Sequence, residues 1–311
     1  MPIWISLVIV AQLLNAVVSL LDRYIVASGK IGRPIVLAFY VSLLSSLSVL
    51  VFLVGLLPIS LGSFAIPTFA NVLIPTAPVI IYSLIAAVTF IVALVALFQS
   101  FSLAQASDVV PVVSSVSAVV TLLLSFYFLD AVLTTNFLWG FLFLVLGTFL
   151  VARFRLSKKL AWLTFVSGTL FAAHFVVIKL LFLETTFDNA FFWSRIVITL
   201  VALLMLFLPN CCNQTVAAEA KRAGPSGIWL LLLNKMLAGL AGILILKAVE
   251  LGDVSLVQAL TGLQFLFLTI FSIFLGHKAP VCVGENCETH DRVQKIVSIS
   301  IIVTGFVLLF I

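Results

Sequence analysis

The chain has 311 residues, of which 64% are hydrophobic and only 9% charged, with a mean hydropathy of +1.36. An ordinary soluble domain carries about a quarter of its residues as charged ones, so a globule in water could not cover this much apolar surface, and lipid is the solvent that fits. The net charge of +5 comes mostly from loops and speaks to membrane orientation, not to nucleic-acid binding.

A helix crosses the roughly 30 Å hydrocarbon core in about 20 residues, and apolar runs of that length follow one another along the chain. Met1-Pro2-Ile3-Trp4 enters the first run without the basic region of a signal peptide, so a retained helix is expected over 3–21. Further runs predict helices over 34–57, 79–104, 109–129 and 137–152, then over 160–183, 190–208, 227–251, 254–275 and 293–311. Pro34 and Pro111 stand where helices are expected to begin, positions at which a missing N–H costs nothing. From Pro58 to Pro78 the chain carries Pro58, Pro67, Pro75 and Pro78 and no charge, which reads as an apolar interfacial loop. The basic cluster Arg153, Arg155, Lys158 and Lys159 separates five expected helices from five. The fold class expected is an all-α membrane protein of about ten transmembrane helices, organised as two five-helix units, 1–155 and 156–311.

The two units read as copies. With Leu129 set against Leu275, Ala106-Ser107-Asp108-Val109-Val110 falls opposite Gly252-Asp253-Val254-Ser255-Leu256, and Phe128-Leu129 opposite Phe274-Leu275. Gly147 matches Gly305 once an insertion around 279–291 is allowed. An odd number of spans per copy forces the second to insert upside down, and inverted repeats mark secondary transporters with a midplane site between the halves.

The segment Ala96–Ala152, with Ser107-Asp108-Val109-Val110-Pro111, a Ser/Thr-rich helix, Phe128-Leu129 and Gly140 to Gly147, resembles the EamA module. So does the run from Lys247 through Gly252-Asp253 to Leu260. The resemblance covers nearly the full chain and implies the drug/metabolite transporter superfamily: ten helices, two inverted five-helix repeats and alternating access. Where that family often has Gly-Glu-Arg, this chain reads Asp130-Ala131-Val132 and Gly276-His277-Lys278, a departure that bears on subfamily.

Orientation is pulled two ways. Twelve of the 16 Lys/Arg follow odd-numbered spans: Arg23, Lys30, Arg33, the cluster at 153–159, Lys221, Arg222, Lys278, Arg292 and Lys295. The positive-inside rule then places both termini outside the cytoplasm, whereas the family resemblance implies cytoplasmic termini, as would glycosylation of Asn213-Gln214-Thr215 in a eukaryote. The expected location is a cell inner membrane or an organelle membrane, crossed many times. Cys282 and Cys287 read as free thiols, as a local disulfide, or with His277 and His290 as a loosely spaced zinc set. Cys211-Cys212, at a helix end, suits acylation.

A charge at membrane depth costs at least about 2.5 kcal/mol, so each deserves a functional reading beside a bland one. Deepest lie His174 and Lys235, with Arg195 about two turns into its helix; Lys179 and Lys247 lie nearer helix ends, where snorkelling explains them. Glu250 stands at i, i+3 from Lys247. Asp22, Glu184, Glu250 and Asp253 are expected at helix ends, leaving no midplane carboxylate and a cavity made electropositive by Arg195, Lys235 and His174, suited to anions. Gln12, Asn15 and Ser19 form one helical stripe, Ser114, Ser117 and Thr121 another, and Gln258, Thr261 and Gln264 a third; Asn234 precedes Lys235. Such residues also serve as helix–helix glue, and Gly239 and Gly242 are expected to admit close packing. Trp193 and Tyr40 suit either the cavity or an aromatic belt. The expected substrate-binding set is Lys235, Arg195, His174, Asn234, Asn15, Ser114, Gln258 and Gln264.

Three histidines and no HExxH or Walker sequence leave little catalytic inventory. The reading is therefore a carrier, not an enzyme, with no cofactor or bound metal and no nucleic-acid partner. Its expected partners are a small-molecule metabolite and the bilayer, and it acts as a monomer or homodimer. A lipid-headgroup flippase or an intramembrane transferase is the alternative.

Overall fold

The computed structural model describes residues 2–28, 33–55, 67–129, 135–151, 157–207, 213–275 and 289–308. Among them there is no strand. The helices run α1 (Ile3–Ala27), α2 (Pro34–Leu44), α3 (Val51–Val54), α4 (Ala77–Leu103), α5 (Ala106–Phe128), α6 (Thr135–Val151) and α7 (Lys158–Glu184). They continue as α8 (Phe187–Leu204), α9 (Asn213–Leu251), α10 (Val254–Ala259), α11 (Leu263–Leu275) and α12 (Thr289–Leu308). Among the described residues, seven stretches are long and apolar enough to cross a membrane: Ile3–Val26, Pro34–Leu53, Ala77–Leu103, Asp108–Phe128, Lys158–Glu184, Phe187–Phe207 and Thr215–Leu251. Leu138–Thr148 and Val254–Leu268 are shorter apolar helices.

The exterior is apolar, and the largely apolar interior also holds polar side chains. Phe126, Tyr127, Trp162, Trp229 and Leu240 face outward, while Gln12, Ser83, Thr121, Ser167, Asn234 and Gln258 are buried. Large contiguous apolar exterior belongs against lipid, and buried hydroxyls bond inward, as Ser167 Oγ does to the Ala93 carbonyl at 3.0 Å.

The helix ends follow local chemistry. Ser157 caps α7 by accepting from the Leu160 N–H, and Thr186 caps α8 by accepting from Asn189. Asp253 caps α10 through the N–H groups of Ser255 and Leu256. Gly224, at φ +64°, breaks the helical geometry inside α9. A side chain there would meet nothing within 4 Å, so it is the left-handed backbone that calls for glycine. Pro225 then opens the apolar part of the helix.

Several boundaries differ from expectation. Asp22 and Arg23 lie inside α1, which runs on to Ala27, because both charges find partners within the bundle; Arg23 Nη1 donates to the Phe101 carbonyl at 2.7 Å. Pro111 lies inside α5, which starts at Ala106, so it removes an internal hydrogen bond. Asn213-Gln214-Thr215 opens α9 instead of forming a loop. Cys211, Cys212, Cys282, Cys287 and His277 fall outside the described residues.

Packing is pairwise and interlocked. The most extensive contacts join α4 to α7, α6 to α12, α1 to α9 and α5 to α7; α1 also meets α11, α5 meets α10 and α2 meets α8. Small residues set the closest crossings. A Cβ on Gly168 of α7 would stand 2.8 Å from the Val113 carbonyl of α5. Between α6 and α12 the arrangement is reciprocal: Gly147 abuts Ile302, and Gly305 abuts Leu144 and Gly140.

Candidate functional site

A cavity of about 280 Å³ opens between the helices. From α1 it receives Gln12, Asn15, Ser19 and Asp22, whose spacing keeps them on one helical face. The helix begun by α2 tightens into a 3₁₀ tract, Ser45–Leu50, before continuing as α3, and that tract presents Ser45 and Ser48. A second 3₁₀ tract, Leu260–Gly262 between α10 and α11, presents Thr261, flanked by Gln258 and Gln264. Tightened turns inside longer helices are frequent at functional hinges; here both lie on the cavity wall. In each, hydroxyls return to the backbone: Ser48 Oγ to the Ser45 carbonyl at 2.6 Å, Thr261 Oγ1 to the Gln258 carbonyl at 2.6 Å.

The wall from α4 and α7 is aromatic. Phe90 lies 5.0 Å from the His174 ring and 6.1 Å from Phe171, while Phe175 sits edge-on to His174 at 5.2 Å. His174 is buried and its Nδ1 stands 2.8 Å from the Ala86 carbonyl. A carbonyl only accepts, so Nδ1 carries the proton and Nε2 of the neutral ring is left as an acceptor.

The charged centre lies where α1 meets α9. Lys235 Nζ donates to Asp22 Oδ1 at 2.6 Å, Asn234 Nδ2 donates to the same oxygen at 2.8 Å, and all three residues are buried. The Phe98 ring centroid is 5.8 Å from Nζ. Arg195 of α8 stands apart from this pair. Its Nη1 donates to Ser45 Oγ at 2.8 Å, its guanidinium lies 5.2 Å from the Phe191 centroid, and its Nε has no partner among the described residues.

The expected residues converge. Lys235, Arg195, His174, Asn15, Ser114, Gln258 and Gln264 all line the cavity. Asn234 is buried behind Lys235, bonded to Asp22. Gln264 Nε2 donates to Ser19 Oγ and the Asn15 carbonyl, and Ser117 Oγ to Gln258 Oε1. Three expectations need correction. Asp22 is a buried cavity carboxylate and not a helix-end charge. Consequently the cavity is less positive than expected: Asp22 neutralises Lys235, leaving Arg195 as the lining cation without a carboxylate partner among the described residues. Gly239 and Gly242 also differ from expectation. A Cβ on Gly242 would meet nothing within 4 Å and one on Gly239 only Ser48 at 3.9 Å, so they widen the cavity instead of seating a helix.

Other singled-out residues lie elsewhere. Lys179 donates to the carbonyls of Val249, Glu250 and Gly252 at 2.8, 3.0 and 2.9 Å, closing the C-terminal end of α9. Lys247 and Glu250 form the expected i, i+3 pair at 2.5 Å. Trp193 Nε1 donates to the Leu73 carbonyl at 2.9 Å, and Tyr40 to that of Val216 at 3.2 Å. The aromatic wall and Ser45 went unread in the sequence. Phenylalanines are too common in this chain, 28 of them, for any one to stand out. Among the described residues no group of three or more His, Cys, Asp or Glu could hold a metal ion.

These features define the class: a multi-pass helical membrane protein built round a cavity that carries buried polar side chains. No family model and no curated protein matches the sequence. A solved structure described only as "Crystal structure of protein" shares its fold, with a TM-score of 0.57 and 16% identity over 96% of this chain and 96% of that one.

Proposed function

We propose that the protein is a secondary transporter of the EamA type, moving small organic metabolites through the central cavity by alternating access. The observation that carries this reading is a cavity between α1, α4, α5, α7, α8 and α9 whose largely apolar wall carries buried polar groups, some without partners among the described residues, within an apolar exterior. Binding sites near the midplane between repeat units, formed by interrupted helices, suit carriers; the two 3₁₀ tracts supply such interruptions.

The pattern of helix neighbours supports two related units. Pair α1 with α7, α2–α3 with α8, α4 with α9, α5 with α10–α11, and α6 with α12. Exchanging partners turns the α4–α7 contact into α9–α1 and the α5–α7 contact into α11–α1, and both are present. The α6–α12 contact maps onto itself, as do its glycines Gly147 and Gly305.

Arg195 favours a cargo with an anionic group, since a buried guanidinium with an N–H that lacks a partner among the described residues attracts a carboxylate or phosphate. The test is counterflow in proteoliposomes preloaded with unlabelled cargo, using labelled orotate, benzoate, uracil and choline. Accelerated uptake of a labelled organic anion supports the reading. Absence of counterflow for every compound overturns it.

A further inference from the structure

Gln12 is fully buried on the cavity wall, and neither Nε2 nor Oε1 of its amide has a partner among the described residues. Buried amides without partners are rare and costly, and this one presents a donor and an acceptor side by side. The ligand group that satisfies both at once carries an acceptor and a donor on adjacent positions: a lactam, amidine or carboxamide edge. Around it the cavity offers further matched groups. Gln258 Nε2 is an unpartnered donor, its Oε1 being held by Ser117, and Nε2 of His174 is an acceptor by the tautomer argued above. The Phe90–Phe171–Phe175 wall supplies ring faces, on which planar π-systems stack.

We infer that the cavity binds a planar heterocycle of the nucleobase type, its lactam edge on the Gln12 amide and its ring against the aromatic wall of α4 and α7. The inference rests on the carrier reading only in taking this cavity as the cargo site. A cavity of about 280 Å³ sits at the lower end of ordinary ligand pockets, roughly 300–1,000 Å³, a size for a base and not for a nucleotide sugar.

The test is equilibrium binding of tritiated uracil and hypoxanthine to the full chain in nanodiscs, with 1,3-dimethyluracil as competitor. Methylation removes both N–H donors while keeping the ring. Uracil is expected to bind at least about tenfold more tightly than its dimethyl derivative, the scale of an unsatisfied buried polar group. In Gln12→Leu that ratio is expected to fall towards one, because the effect is the coupling of edge and amide and not the fit of the ring. Gln12→Met, nearer in volume, replaces the leucine variant if the latter does not fold. Dimethyluracil binding as tightly as uracil, a ratio unchanged in either variant, or no binding of either heterocycle overturns the inference. Counterflow of an anion without heterocycle binding would overturn this inference alone; heterocycle binding without counterflow of any compound would overturn the carrier reading alone.

Discussion

At the scale of single residues, the Asp22–Lys235 pair has the largest energetic stake. Two buried charges that share hydrogen bonds are tolerable, but removing one partner leaves the other uncompensated, at a cost of about 3–5 kcal/mol. Asp22→Ala or Lys235→Ala is therefore expected to lower the thermal midpoint of the detergent-solubilised protein sharply. The double variant Asp22→Asn/Lys235→Met should recover more than half of that loss. A loss in the double variant equal to the sum of the two single losses would mean that the pair is not coupled. Arg195 makes a different prediction. Orotate adds a carboxylate to the uracil ring, so wild type should bind orotate more tightly than uracil, and Arg195→Gln should erase about tenfold of that preference, the scale of a charged hydrogen bond. Competition binding measures both ratios. Much of this site is legible in the sequence, because Gln12, Asn15 and Ser19 fall on one stripe and Lys235 interrupts an apolar run. Asp22 is not legible as a cavity group. An Asp-Arg pair at the end of an apolar run looks like the start of a loop, and its partner lies 213 residues away, beyond any local pattern.

At the scale of helices, crossings and ends decide the bundle. A side chain at Gly305 would place its Cβ 2.7 Å from the Leu144 backbone nitrogen and 2.9 Å from the Gly140 carbonyl, atoms that cannot move aside alone. Gly305→Leu is expected to separate α6 from α12 and cost about 1–3 kcal/mol or more, read as a fall in folded yield and melting temperature. Gly242→Ala makes the opposite prediction: unchanged stability, with weaker binding of the bulkier cargo, since its Cβ enters open cavity space. Lys179 ties α7 to the end of α9 through three carbonyls, and Lys179→Met should cost about 1–3 kcal/mol for the acceptors left bare. The apolar runs announce most helices in the sequence, while the caps Ser157, Thr186 and Asp253 are seen only in the fold. The two 3₁₀ tracts are not announced. Ser45-Ser46-Leu47-Ser48 and Leu260-Thr261-Gly262 sit inside longer apolar runs, and only the bundle shows that their hydroxyls turn back to the chain.

At the scale of the molecule, the exterior is apolar and the interior is an apolar core into which a set of polar side chains is buried around one cavity. Composition alone requires lipid around this chain, but it does not reveal that most polar stripes face one cavity, because that depends on how distant helices cross. The central claim is that this cavity is reached from each side of the membrane in turn. Its most direct test places a single cysteine at Gly242, where a side chain meets only open space, with Cys211, Cys212, Cys282 and Cys287 changed to serine. Sealed vesicles of both orientations are then treated with a membrane-impermeant maleimide. The account predicts labelling from both sides, slowed by added orotate. Labelling confined to one side under every condition, or unaffected by any cargo in the panel, would contradict it.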